Sequence, residues 1–488
     1  PDGQPLMVSL AGQPFIDTRL SFHSYLPKNL DPNICNKLVN AWVKKLKDNP
    51  ELHDKIEFDI AITTYSFDID YKIKNLVGDA ITDPEKKILK KTFLDHTKEL
   101  LSEESQGSIS QALKGIDILA KKQKIQKKFE NRQDINELFL LIDECIFLGT
   151  IPFSILARHG FIAKTILLSL AQCGILSNDE INKILASIRT IASDLVDDMN
   201  RFHRKEVSRN EFLDQYGHLR PGTYDIMSLR YDQMPDFSQM GFEKVEKKEI
   251  SKFDLTLSQK KSIDKVLESN GFKGMDCDGF LTYVREATAG REYGKFIFTK
   301  SVSNILEIIT KYGEDHFLSR EELSHIPINE FLSILKRSSE DNIEDRLRKV
   351  SEFNKENNFI TSAVRLPQVL FDEAGVFVVP FQISHPNFIT NQKITAKCVN
   401  LISDMRHPTL AKKIVLIENA DPGYDWIFSQ QIAGLITKYG GANSHMAIRC
   451  AEFGIPAAIG CGEQRYDAFL EAKQIMLDCS SSLIKMLR

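Results

Sequence analysis

Gly440-Gly441-Ala442-Asn443-Ser444-His445-Met446-Ala447-Ile448-Arg449 decides how the rest of the chain is read. The glycine pair permits backbone dihedrals closed to other residues. Asn443 and Ser444 are both strong helix N-cap residues. The spacing predicts a tight turn that opens a helix with His445 in its first turn. Free N–H groups and the positive end of the helix dipole then meet whatever anion the imidazole handles, and a phosphoryl group on a ring nitrogen fits that place. On residue chemistry alone, a glycine-rich turn with an incidental histidine explains the same letters. Arg449, one helical turn further on, either steadies the phosphoryl group or is a surface arginine.

The sequence around this stretch reads as a small α/β domain. Residues 413–417 and 433–437 are strand-like, Asp421-Pro422-Gly423 is a turn, and 424–431 is a short helix. The helix after His445 stops at Gly454, and 457–460 and 474–478 are further strands. Alternating strand and helix predicts an α/β unit over 396–488, joined by a linker at 383–395 to everything before it.

Composition sets broad bounds. The chain has 488 residues, 27% charged and 42% hydrophobic, enough for more than one domain of ordinary globular type. A formal net charge of -4 gives no nucleic-acid footprint. Eight cysteines without a close CxxC pair argue against a disulfide scaffold or a structural zinc site and for a reducing, cytoplasmic setting. No signal peptide and no long uninterrupted apolar run stand out, so no membrane is expected. The chain opens at Pro1, without an initiator methionine, as a processed or truncated piece of a longer protein would.

Residues 1–382 read as a large, mainly helical domain. Residues 15–20 alternate like a short strand, with Arg19 and His23 at a polar edge. Asp31 caps a helix with Pro32 in its first turn, and Asn49-Pro50 ends it. The β-branched and aromatic stretch 56–69 reads as one or two strands. Helical patterns dominate from 83 to 216, interrupted at Gly149-Thr150-Ile151-Pro152. The apolar helix 151–173 carries Arg158 and His159, which are costly in a core without partners.

Tyr216-Gly217-His218-Leu219-Arg220-Pro221-Gly222-Thr223-Tyr224-Asp225 is the other ligand-like stretch. Arg220 suits a carboxylate or phosphate, and Asp225 an amine or an oriented donor. A surface loop held by its own salt bridges is the competing reading. On the next long helix, Arg285, Glu292 and Lys295 fall near one side, where surface ion pairs account for them. Residues 366–367 and 376–380 mark short extended pieces.

The stretch 440–449, continued by Glu452-Phe453-Gly454-Ile455-Pro456-Ala457-Ala458-Ile459-Gly460, closely resembles the phosphohistidine signature of the phosphoenolpyruvate-utilising enzymes. These include phosphoenolpyruvate synthase, pyruvate phosphate dikinase and rifampin phosphotransferase. Asn443 stands where the signature usually has threonine, which puts a hydroxyl role there in doubt. The resemblance implies a multidomain α+β protein: a large, mainly helical acceptor domain, then a small α/β swivelling phosphohistidine domain. His445 would carry the phosphoryl group on a phosphate turn of Gly440, Gly441, Asn443 and Ser444.

The chain ends at Arg488, too soon for a pyruvate-binding barrel, so the domain order expected is that of rifampin phosphotransferase. ATP and Mg2+ would be bound by an N-terminal ATP-grasp domain absent from this chain, in cis or in trans, leaving this fragment inactive with ATP alone. Residues 49–58 and Arg291-Glu292-Tyr293-Gly294-Lys295-Phe296 are similar to a bacterial subgroup linked to polysaccharide modification, the L-glutamine kinases of capsular phosphoramidate synthesis. That resemblance implies transfer of the β-phosphoryl of ATP to the side-chain amide of L-glutamine. His218 would be the base, Arg449 a phosphoryl contact, and Arg19, Arg220, Asp225 and Tyr216 substrate contacts, with no metal ligand in the chain. Another small-molecule or antibiotic acceptor, or a non-catalytic regulatory homologue, are the alternatives.

Overall fold

The structure, a computed structural model, describes residues 4–101, 107–127, 135–234, 253–334, 342–377, 385–401, 409–442 and 444–487. Asn443, expected in a phosphate turn, lies outside the described residues.

An N-terminal hairpin of β1 (Met7–Leu10) and β2 (Gln13–Ile16) leads into a helical body. Its first helices are α1 (Thr18–Ser24), α2 (Pro32–Asp48), α3 (Ile69–Leu76), α4 (Asp83–Leu101) and α5 (Ser108–Lys127). Then come α6 (Leu138–Glu144), α7 (Ile151–Gln172), α8 (Asn178–Ala186), α9 (Ile191–His203) and α10 (Arg209–Tyr216). The body closes with α11 (Leu257–Ser269), α12 (Cys277–Asp315), α13 (Arg320–Ser324), α14 (Ile328–Ile334) and α15 (Ile343–Ala363). The packing of α5, α7 and α12 on one another forms its centre. Close approach is possible because α12 carries glycine there: a Cβ on Gly294 would stand 2.9 Å from Leu156 of α7.

Helix starts follow the capping chemistry. Asp31 accepts from the backbone of Asn33 and Ile34 at the head of α2. Asp17 caps α1, so 18–20 are helical rather than a continuation of the strand. The expectation of strands over 56–69 is also corrected. Residues 56–60 form a π-helical turn, and 61–66 are buried and form neither helix nor strand. Among the described residues no strand pairs with this segment, and side chains satisfy part of its backbone: Thr97 Oγ1 accepts from Tyr65 N–H at 3.0 Å and Ser169 Oγ from Phe67 N–H at 3.2 Å. Its β-branched residues fill a helical core instead.

Residues 145–150 form a π-helical turn that carries α6 into α7, so the break expected at 149–152 is not one. The resulting run Ile135–Gln172 is long and apolar enough, by length and composition alone, to cross a membrane, although charged residues such as Glu144, Arg158 and Lys164 interrupt it. One side of it packs on α5 and α12. Arg158 and His159 have partners: His159 bonds Ser108 Oγ at 2.7 Å and Tyr283 OH at 3.0 Å, and Arg158 donates to the Thr63 carbonyl at 3.0 Å.

The C-terminal part is a seven-stranded mixed sheet in the order β3-β7-β6-β5-β4-β8-β9. Its strands are β3 (Asn387–Ile389), β4 (Lys393–Asn400), β5 (Ile414–Ile417), β6 (Gly434–Thr437), β7 (Ala457–Ile459), β8 (Gln474–Asp478) and β9 (Leu483–Leu487). The strands from β4 through β5 and β6 to β7 are parallel neighbours. Both faces are covered, by α16 (His445–Phe453) with a 3-10 helix Pro422–Gln430 on one side and by α17 (Glu463–Leu470) on the other. The expected linker at 383–395 is largely part of this sheet, because β3 pairs with β7 and β4 begins at Lys393. Of the piece expected to be extended at 376–380, Val376 and Phe377 close the 3-10 turn Glu373–Phe377, and 378–380 lie outside the described residues.

The sheet domain sits against the helical body. The helix α16 packs on α8, and the 3-10 helix packs on α9. Asp54 of the body accepts from the Asn387 side chain at 2.9 Å.

Candidate active site

The loop after β6 leaves the carboxyl end of a parallel strand, where open α/β sheets place their ligand sites. Gly440 takes φ +131°, and a Cβ there would come 2.7 Å from Ala420. Only glycine makes this turn without strain. Ser444 then caps α16, its Oγ accepting from Ala447 N–H at 3.4 Å, and His445 is the first helical residue.

His445 is 5% exposed, and both ring nitrogens face carboxylates. Nε2 lies 2.7 and 2.8 Å from the two oxygens of Asp425, on the 3-10 helix of its own domain. Nδ1 lies 2.9 Å from Oε2 of Glu292, on α12 of the helical body. A ring bonded to two carboxylates is satisfied on both sides only as the imidazolium. Burial disfavours that charge, but Asp425 and Glu292 outweigh it and hold the His445 pKa above its ordinary value. Burial likewise works against the Glu292 carboxylate, but the hydrogen bond and charge of His445 hold its pKa well below the usual range.

The ring borders a cavity between the two parts of the chain. Glu292, Lys295 and Phe296 of α12 line it, with Leu195 of α9, Leu219 and Asp425. Lys295 and Asp425 thus reach the same space as the histidine. Burial lowers the Lys295 pKa, and the same cause raises that of Asp421, at the edge of the 3-10 helix.

Arg449 is fully buried, not a surface residue. It pairs with Glu452, lies 3.6 Å from Asp425, and spreads over the Phe453 ring at 4.7 Å. It thus backs the carboxylate that holds Nε2.

The stretch 216–225 serves the interface. Its backbone carries the 3-10 helix: a Cβ on Gly423 would come 1.7 Å from the Arg220 carbonyl oxygen, so only glycine fits. Tyr231 OH donates to the Gly423 carbonyl at 2.7 Å. Arg220 is buried and engaged with Glu307 at 2.8 Å and with Ser303, so the expectation of a free ligand clamp is corrected. Tyr216 OH donates to Asp198 at 3.0 Å. The His218 ring is buried edge-on to Phe296 at 4.8 Å, while its neighbour Leu219 lines the cavity. Asp225 is exposed and accepts from Met227 N–H at 2.9 Å. Arg19 is also exposed, on α1, and donates to Asn40 at 2.9 Å. Gly441 stands near the backbone of Asp54, beside the docking contact.

Glu292 was legible only as one of several charged residues on a helix, and Asp425 not at all. The single signal for Glu292 was its helical register with Lys295, which surface ion pairing explained equally well. Among the described residues no cluster of histidine, cysteine, aspartate and glutamate has the makings of a metal centre.

Residues 410–482 match the family described as PEP-utilising enzyme, mobile domain. This segment holds Asp425, the glycine turn, His445 and Arg449, and leaves Glu292 and Lys295 outside it. No curated protein matches the chain.

Proposed function

We propose that this protein is a phosphotransferase that works through a phosphohistidine at His445. The observation that carries the reading is the placement of His445. It is the first residue of a capped helix behind a glycine turn, within a segment that matches the mobile domain of PEP-utilising enzymes.

In the proposed cycle ATP, with Mg2+, is the donor, bound by an ATP-grasp domain in cis or in trans. Neutral His445 attacks the β-phosphorus through Nε2, and AMP leaves. Water releases the terminal group as phosphate, and His445 keeps one phosphoryl group. The mobile domain then docks on the helical body, where Glu292 holds Nδ1–H and so fixes the ring with Nε2 toward the cavity. The side-chain amide of L-glutamine is the acceptor we propose. Its nitrogen bonds phosphorus as the Nε2–P bond breaks, and its proton needs a base. Asp425, at Nε2, is better placed for that role than His218. Free cysteines throughout the chain agree with a reducing, cytoplasmic setting.

The test is a substrate screen with the full-length protein. AMP formation that depends on L-glutamine, together with a phosphorylated glutamine product, supports the reading. AMP formation driven by a different acceptor retains the phosphotransferase and removes glutamine.

A further inference from the structure

We propose that Lys295 is the residue that grips the phosphoryl group on His445 while the mobile domain is docked, making it a catalytic residue of the transfer step. This rests on the phosphohistidine reading above and adds to it a helical-body residue outside the matched segment.

The placement comes first. Glu292 and Lys295 are three residues apart on α12 and therefore project from one side of it. Glu292 reaches Nδ1 of His445, and Lys295 lines the cavity that the same imidazole borders. Ile191, Leu195, Leu219 and Phe296 supply much of the remaining wall. An apolar wall keeps water away from a labile N–P bond, but it gives phosphoryl oxygens nothing to bind.

Lys295 has the capacity to bind them. Among the described residues its ammonium makes no hydrogen bond and no ion pair, although Glu292, Asp421 and Asp425 are near enough to act on it through space. Neither neighbouring arginine lines that cavity. Arg449 pairs with Glu452, lies 3.6 Å from Asp425 and spreads over the Phe453 ring, and Arg291 lies over the Phe161 ring at 5.3 Å with its Nε 3.9 Å from Glu292.

The charge balance calls for such a cation. With His445 unphosphorylated, the imidazolium shares its single positive charge between Asp425 and Glu292, one hydrogen bond to each. A phosphoryl group on Nε2 takes the place of that N–H and faces Asp425 with more negative charge. A lysine beside it offsets the repulsion, and it stabilises the equatorial oxygens as the group passes to the acceptor. In that step the nucleophile of the acceptor bonds phosphorus and the electron pair of the N–P bond returns to Nε2. The proton lost by the acceptor ends on Nε2, against Asp425. That product arrangement is the one in the structure.

The test uses phosphoramidate, which phosphorylates imidazoles without ATP, on the full-length protein. Phosphorus NMR follows the signal at His445, assigned by its loss in His445→Ala, through a pH titration. Wild type should show a phosphate titration shifted about one unit to lower pH relative to Lys295→Met. Lys295→Arg should restore most of the shift and so exclude a packing defect. Superimposable titrations for wild type and Lys295→Met, both phosphorylated at His445, overturn the role of Lys295 and leave the phosphohistidine reading standing. No His445-dependent signal in wild type overturns both.

Discussion

Glu292 of the helical body accepts a hydrogen bond from Nδ1 of His445 in the sheet domain, at 2.9 Å and with both side chains 3–4% exposed. The two residues are 153 positions apart. This bond joins a helix of the sheet domain to α12 of the helical body. On the proposed cycle, in which the domains dock and separate, His445 would keep Asp425 and lose Glu292 on separation.

Replacing Glu292 should uncouple docking from the carrier itself. Removing one member of a buried charged pair leaves the other unpaired, at a cost of about 3–5 kcal/mol. Glu292→Ala should therefore favour the undocked arrangement and lower the His445 pKa. Small-angle scattering and an NMR titration of His445 read the two effects. A docked envelope with an unchanged titration would remove Glu292 from the account.

The docked arrangement should be sensitive to alkali. The His445 pKa is raised, so its contribution is complete below the ordinary histidine value of about 6.5 and is lost as pH rises through the raised one. Glu452 and Asp421, whose carboxyl pKa values burial raises, act in the same direction. Glu292, lowered, acts oppositely and only in acid, where its contribution is lost as pH falls below the ordinary carboxylate range. Lys295, lowered from the usual lysine value by burial, gains stability only at high pH. Corrected for the intrinsic pH dependence of exchange, protection along α12 and α16 should fall as pH rises from about 6.5 into the alkaline range. Protection that stays constant over that interval would contradict the imidazolium contact.

Gly423→Ala should separate the domains without unfolding either. The added methyl meets the Arg220 carbonyl oxygen at 1.7 Å, a backbone atom that cannot turn aside. Tyr231→Phe at the same junction removes one buried hydrogen bond and should cost about 1–3 kcal/mol. Limited proteolysis and circular dichroism together report the result: unchanged helix and sheet signal, with new cleavage between the domains. Loss of the secondary-structure signal would show that the junction belongs to the folding core.

Arg449 should behave as a structural residue. Arg449→Met leaves Glu452 buried without its cation, which should cost about 3–5 kcal/mol of stability and show as a lower melting temperature. Phosphorylation of whatever protein remains folded should stay within a few-fold of wild type. A folded, thermally unchanged variant that no longer accepts phosphate would return Arg449 to the phosphoryl group.

The carrier half was legible because its signals are local. A Gly-Gly pair, a serine cap and a histidine occupy adjacent positions, and runs such as Ile414–Ile417 are buried on both faces and read as strands. The partners of His445 are not local. Asp425 lies in a short turn whose letters suggest only a helix, and Glu292 lies on α12 among charged neighbours. Amphipathic spacing shows which residues share a face, not what that face meets. For the same reason the polar letters of 216–225 looked like a ligand loop, although Arg220, Tyr216 and His218 point into the protein. Residues 56–69 failed differently: strand-forming side chains are present, but among the described residues no partner strand is.

The central claim is that His445 carries phosphate. The most direct measurement is to incubate the full-length protein with ATP labelled at the β-phosphoryl position and to follow the label on the protein. The account predicts an acid-labile, alkali-stable label that is absent in His445→Ala and is discharged by the acceptor. A label that survives His445→Ala, or one stable to acid, would contradict it.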